Sequence, residues 1–135
     1  MNSLWGAGNP VESIDNPYWA AFDDHRYLKW VPEEQLAVTK DDYIKMSCSD
    51  NRQADGEYPT IVGEFSLSVN ENVEGSADWS VDNDPSFYQK WFAAQTKSYE
   101  KTFGWIFWSW KTELNDARWD YKREHSTDMA FKEHC

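Results

Sequence analysis

Two short apolar runs, Thr60-Ile61-Val62-Gly63-Glu64-Phe65-Ser66 and Trp105-Ile106-Phe107-Trp108-Ser109-Trp110, flank a stretch whose large side chains recur at helical spacing. The runs have strand length and read as buried strands. Between them Pro85 opens a helix to about Thr102, with Phe87, Tyr88, Trp91, Phe92, Gln95, Tyr99 and Phe103 on one buried face and Gly104 beyond its end. Upstream, Phe22–Trp30 alternates as a strand does and Pro32 stops it, while Thr39 caps a short helix through about Cys48, with Asp41 and Asp42 in its first turn. The tail from Asn115 onward is charged and reads as helical. Strand and helix therefore alternate along the chain, the pattern of βα units on a parallel sheet, and the fold class is α/β. Residues 1–17, 49–59 and 67–85 read as loops, the last an acidic surface loop with Trp79 as its one large apolar group. No internal repeat, low-complexity segment or linker interrupts the pattern.

A chain of 135 residues supports one domain with a real core. Its 24 Asp+Glu against 13 Lys+Arg leave a formal charge of -11, which argues against nucleic acid and anionic membrane as partners. A neutral partner such as a sugar polymer suits that surface. Aromatic residues make up 17% of the chain, with Trp 9 among them, and two uses compete for them: ring faces for carbohydrate, or a core filled with large rings. No stretch is long and apolar enough to span a bilayer, and Met1 to Pro10 lacks the basic end and apolar core of a secretory signal. Cys48 and Cys135 allow one pair, which is no disulfide framework, and no further Cys or His stands at zinc-ligand spacing.

Three strand ends carry residues that a purely structural strand would not choose. Period two places His25 and Tyr27 on one face. Glu64 ends an apolar run, where a buried charge is costly unless paired. Trp108 is followed by Ser109, Trp110 and Lys111. In an α/β barrel the active site forms at the C-terminal strand ends, where these three clusters would meet. Each has a plainer reading: Glu64 as a structural carboxylate paired with Arg26 or Lys111, His25 and Tyr27 as a satisfied core pair, Trp108 as packing. The remaining tryptophans read as packing, His125 and His134 as exposed charges on the last helix, and the acidic stretch 70–84 as solvated, with no spacing that supports calcium.

Asp24-His25-Arg26-Tyr27, Pro59 to Ser66, and Gly104 to Glu113, together with the helix segment Phe87 to Gln95, resemble the last strand segments of fungal glycoside hydrolase family 5 enzymes. Similarity is to the fungal β-1,6-glucanases and exo-β-1,3-glucanases, over roughly residues 5 to 123, in the same order and with similar gaps. The resemblance implies a TIM (β/α)8 barrel of which this chain holds the C-terminal portion, strands six to eight with their helices. It further implies retaining hydrolysis of β-glucan with two glutamates and no metal or cofactor. Glu64 matches the nucleophile, His25 and Tyr27 match residues that hydrogen-bond the substrate and the nucleophile, and Trp108 matches the aromatic platform beneath the sugar. Trp110 and Lys111 match more weakly.

The chain also departs from that pattern. The acid/base glutamate of the family lies in an Asn-Glu-Pro motif, which is absent; Asn70-Glu71 lacks the proline and reads as loop. A full barrel takes roughly 250 residues. Domain organisation is thus one partial barrel over 1–135 with a divergent tail at 124–135. The Asp23-Asp24-His25-Arg26-Tyr27-Leu28-Lys29-Trp30 version leans to the β-1,6 branch. Some secreted members pair a cysteine near the position of Cys48 with one near the C-terminus, which makes Cys135 its expected partner. The resemblance implies a secreted or cell-wall location and a β-glucan polysaccharide or oligosaccharide partner. The alternative is a catalytically inactive fragment that binds glucan or self-associates through open sheet edges.

Overall fold

The computed structural model describes residues 14–31, 39–50, 58–124 and Cys135. Its centre is a three-stranded parallel sheet, in the order β1 (Phe22–Arg26), β2 (Thr60–Phe65), β3 (Trp105–Phe107). Helix α1 (Lys40–Ser49) falls between β1 and β2 along the chain, and α3 (Pro85–Tyr99) between β2 and β3. A single-turn α2 (Glu71–Glu74) precedes α3, and α4 (Tyr121–Glu124) follows β3.

The helix ends follow their sequence signals. Thr39 forms a reciprocal box with Asp42: the Asp42 backbone N–H donates to Thr39 Oγ1 at 3.2 Å, and the Thr39 N–H donates to Asp42 Oδ2 at 3.0 Å. Pro85 occupies the first turn of α3, and Asp84 caps it by accepting from the Phe87 N–H at 3.1 Å. Lys40 Nζ donates to the other Asp84 oxygen at 2.7 Å, and this bond is the main reason the Asp84 carboxyl sits below its ordinary value. A depressed folded-state carboxyl adds stability above its unfolded value and loses it as pH falls through the folded one. Asp84→Asn keeps the capping oxygen but not the charge. Its deficit against the parent is expected to be no more than ~1 kcal/mol at neutral pH, because the pair is a third exposed, and to shrink below about pH 4. Urea unfolding at neutral and acidic pH measures it; a gap unchanged across that range contradicts the assignment.

The two longer helices pack on each other on one side of the sheet. Trp91 Nε1 donates to Ser47 Oγ at 3.0 Å, Ser98 Oγ donates to the Ser47 carbonyl at 2.6 Å, and the rings of Tyr43 and Trp91 meet edge to face at 4.7 Å. The core is largely aromatic, with Phe65 on β2 set among Phe92, Tyr99, Trp105 and Phe107 at 5.1–6.0 Å between centroids. Among the described residues most aromatic rings pack against one another rather than face solvent.

Strand pairing contains one irregularity that decides where a carboxylate points. Asp24 pairs with Val62 but His25 pairs with Glu64, so Gly63 is an extra residue, a β-bulge. Val62 and Phe65 are consequently both fully buried on the core side although three positions apart. Glu64, which strict alternation would put on the face of Val62, shares the face of His25 instead. A Cβ at Gly63 would stand 1.8 Å from Asp23 Oδ1, so any side chain there would push that carboxylate aside.

Several expectations need correction. Leu67, Ser68 and Val69 are buried rather than part of a surface loop, because the chain leaving β2 stays bonded to its surroundings. The Leu67 N–H donates to the Arg118 carbonyl at 3.0 Å and the Asn70 N–H to Tyr43 Oη at 2.8 Å. Helix α3 stops at Tyr99, so Phe103 falls in the following turn and is 81% exposed instead of lining the core. β3 ends at Phe107; Ile106, Trp108 and Trp110 are exposed, since alternate residues of this edge strand turn away from the helices. The helical tail is a 3-10 turn at Ala117–Trp119 followed by α4.

Cys48 and Cys135 form a disulfide with 5.5 Å between Cα atoms, which ties the chain's last residue to α1. Most of 124–135, including His125 and His134, lies outside the described residues, as do Pro32 and Gly56.

Candidate active site

β1 and β2 run parallel, so their C-terminal ends share one rim. There Tyr27 Oη donates to Glu64 Oε2 at 2.7 Å, and His25 Nδ1 lies 3.2 Å from the same oxygen. Behind the imidazole, His25 Nε2 stands 3.3 Å from Asp23 Oδ2. Glu64 is neither sealed nor free, with its side chain 24% exposed. Burial, reinforced by the bond to Glu64, pushes the Tyr27 phenol well above its ordinary value. The hydroxyl therefore keeps its proton and serves as a donor to Glu64.

Aromatic packing fixes Tyr27. Its ring meets Trp30 at 4.9 Å and Trp119 at 5.5 Å, and those two indoles lie 6.1 Å apart. Trp108 reaches the same rim from β3: its backbone N–H donates to the Phe65 carbonyl at 2.8 Å, one residue beyond Glu64. The Trp108 side chain is half exposed, and the Trp108–Ser109 peptide is cis. Trp110 stacks on Tyr121 at 5.7 Å, and Lys111 is exposed.

The loops after the three strands are tied together. Lys29, after β1, is hydrogen-bonded to Glu74 on α2; Arg118, after β3, donates to the Glu74 carbonyl at 3.2 Å. Arg118 also grips Asp116 with two bonds, Nε to Oδ1 at 2.8 Å and Nη2 to Oδ2 at 2.7 Å. Burial alone would raise the Asp116 carboxyl, but the Arg118 bonds outweigh it and hold the group below its ordinary value. Beside this network lies an open cleft of about 380 Å³, with Ser76, Asp82, Asn115 and Arg123 in its lining; Glu64, His25, Tyr27 and Trp108 are not part of it.

The sequence-derived candidates thus divide clearly. His25, Tyr27 and Glu64 converge on one carboxylate oxygen, and Trp108 joins their rim through its backbone. The structural pairing of Glu64 with Arg26 or Lys111 is not what forms: Arg26 is buried and donates to Asp50 at 2.7 Å, with Asp24 at 3.8 Å. Asn70 is a helix cap, accepting from the Asn72 N–H at 3.0 Å. Sequence reasoning missed Asp23, although its place two residues before His25 on an alternating strand was the available signal. It also read Trp30 and Trp119 as generic packing, whereas they buttress Tyr27. Among the described residues no group of three or more His, Cys, Asp or Glu could hold a metal ion, and no helix is long and apolar enough to cross a membrane.

A carboxylate held by a phenol and faced by an imidazole can serve as a nucleophile or a base. Comparison with known proteins narrows the setting. No protein-family model matches the chain. Over 122 residues it is 56% identical to the probable glucan endo-1,6-beta-glucosidase B of Aspergillus fumigatus, covering 90% of this chain and 30% of that protein. The glucan endo-1,6-beta-glucosidase B of Emericella nidulans is 54% identical over 122 residues, 29% of its length. A glucan 1,3-beta-glucosidase of Candida oleophila is 26% identical over 137 residues, covering 81% of this chain. The chain spans about 30% of the length of these curated β-1,6-glucosidase relatives.

Proposed function

From a chain homologous to the fungal glucan endo-1,6-β-glucosidases over 90% of its residues, we infer the nucleophile-bearing part of a retaining β-glucan hydrolase of glycoside hydrolase family 5. In this reading residues 1–135 are one portion of a (β/α)8 barrel, with β1, β2 and β3 as its sixth, seventh and eighth strands. The observation that carries the reading is Glu64 at the C-terminal end of β2, with Tyr27 at 2.7 Å and His25 at 3.2 Å from one oxygen.

Glu64 attacks the anomeric carbon of a β-linked glucosyl unit. The bond from that carbon to Oε forms as the glycosidic C–O bond breaks, and water later hydrolyses the glucosyl ester. Tyr27, its proton retained, donates to the carboxylate that is regenerated. Trp108 offers a ring face to the pyranose. The leaving oxygen needs a proton from a second carboxylic acid about 5–5.5 Å from the first, and the Asn-Glu-Pro segment that supplies it in the family is not in this sequence. The reaction as drawn uses no metal or organic cofactor. Favoured substrates are β-1,6-linked glucans, and a secreted or cell-wall setting follows from such a substrate.

A good leaving group removes the need for the missing acid. The test is incubation of the purified chain with 2,4-dinitrophenyl 2-deoxy-2-fluoro-β-glucoside, followed by peptide mass mapping. One fluoroglucosyl group on the peptide containing Glu64 is expected; an unlabelled chain, or label elsewhere, refutes the reading. The exposed Trp108, Trp110 and Ile106 support a second reading, a catalytically silent chain that binds glucan or another copy of itself. Retention on insoluble β-1,6-glucan without any trapping would favour it.

A further inference from the structure

We propose that Asp23 is a positioning residue that acts on Glu64 through His25; the proposal rests on the reading of Glu64 as nucleophile. Asp23, His25 and Glu64 form a line across the β1–β2 pair: Asp23 Oδ2 lies 3.3 Å from Nε2, and Nδ1 lies 3.2 Å from Glu64 Oε2. An imidazole has one polar atom on each side, so anchoring one nitrogen fixes which atom the other side presents. Two carboxylates on opposite sides of one ring are both satisfied only when each nitrogen carries a proton. Asp23 thereby aligns the ring so that Nδ1 faces Glu64 Oε2. Without it the ring is free to flip or rotate, since His25 is 43% exposed.

The backbone makes room for this arrangement. Asp23 pairs in register with Ile61, and its carboxylate lies across the position of Gly63, where a Cβ would come within 1.8 Å of Oδ1. The same bulge residue that turns Glu64 toward His25 also leaves the space that Asp23 fills. Ordinary surface solvation would not require a carboxylate over a glycine. Asp23 is 62% exposed, so its action is directional more than a matter of deep electrostatics.

The test uses the full chain and two readouts. In ring-¹⁵N spectra the His25 Nε2–H resonance is expected in the parent and in Asp23→Asn, which keeps an acceptor oxygen, and lost in Asp23→Ala. In trapping by the fluoroglucoside, Asp23→Ala is expected to slow the covalent step about tenfold with little change in probe affinity, and Asp23→Asn to recover part of it. Gly63→Ala, which evicts the Asp23 carboxylate while leaving that residue in place, should reproduce Asp23→Ala. Trapping by Asp23→Ala within about twofold of the parent, with Nε2–H intact, overturns the proposal. If the parent itself is not trapped, the nucleophile reading fails, and the ring resonance alone decides whether Asp23 holds His25.

Discussion

Glu64→Gln is expected to abolish trapping by the activated fluoroglucoside, with no label detected under conditions that saturate the parent. The amide keeps the shape and can still accept from Tyr27, whose hydroxyl stands 2.7 Å from Oε2. It carries no charge and does not form the ester, so the loss falls on the bond-making step alone. Folding should hardly notice. Glu64 is 24% exposed and lies on the face of the sheet opposite the buried Val62, so the substitution opens no cavity. Thermal unfolding of the variant alongside the trapping assay separates the outcomes: an unchanged midpoint with no label supports a chemical role, whereas label on the Glu64→Gln chain removes Glu64 from the chemistry.

Reduction of the Cys48–Cys135 bond should produce the largest change in stability. The bridge closes a loop with a sequence separation of 87, and restoring that freedom to the unfolded chain costs about 4.6 kcal/mol by loop-closure entropy. Measured bridges span about 0–5 kcal/mol, so this lies near the upper end. For a domain of this size it corresponds to a fall of roughly 10–20 °C in the unfolding midpoint. Cys48→Ser with Cys135→Ser, compared by calorimetry with the oxidised chain, measures it without excess reductant. A midpoint shifted by less than a few degrees would mean that Cys135 is not held against α1 in solution.

Much of the architecture was legible because its signals are local. Thr39 ahead of Asp41 and Asp42, and Pro85, mark helix starts that the structure matches, and hydrogen bonds add Asp84 as the cap of α3. The spacing of Phe87, Tyr88, Trp91 and Phe92 gives the buried stripe of α3. Signals failed where burial depends on partners distant in sequence. Leu67 and Val69 look like loop residues until the Arg118 carbonyl and Tyr43 hydroxyl close over them, and Phe103 looks like core until the helix ends a turn early. The pairing of Cys48 with Cys135 was expected from family resemblance and is present; composition could not have supplied it.

At the site, residue types were legible and their geometry was not. His25, Tyr27 and Glu64 announce themselves as polar groups on apolar strands. That the phenol and the imidazole address one oxygen depends on an irregular register between neighbouring strands, which a count of alternating residues cannot reveal. Asp23 went unremarked although period two places it on the face of His25; only its closeness to Gly63 needed the structure.

That out-of-step glycine limits how a lineage of such chains can change. Side chains around the rim can be exchanged one at a time, but a side chain at Gly63 itself would displace the Asp23 carboxylate. Removing the residue would restore plain alternation, with Val62 and Phe65 still on the core face and Glu64 still opposite His25, but would straighten the kink that the bulge puts in β2.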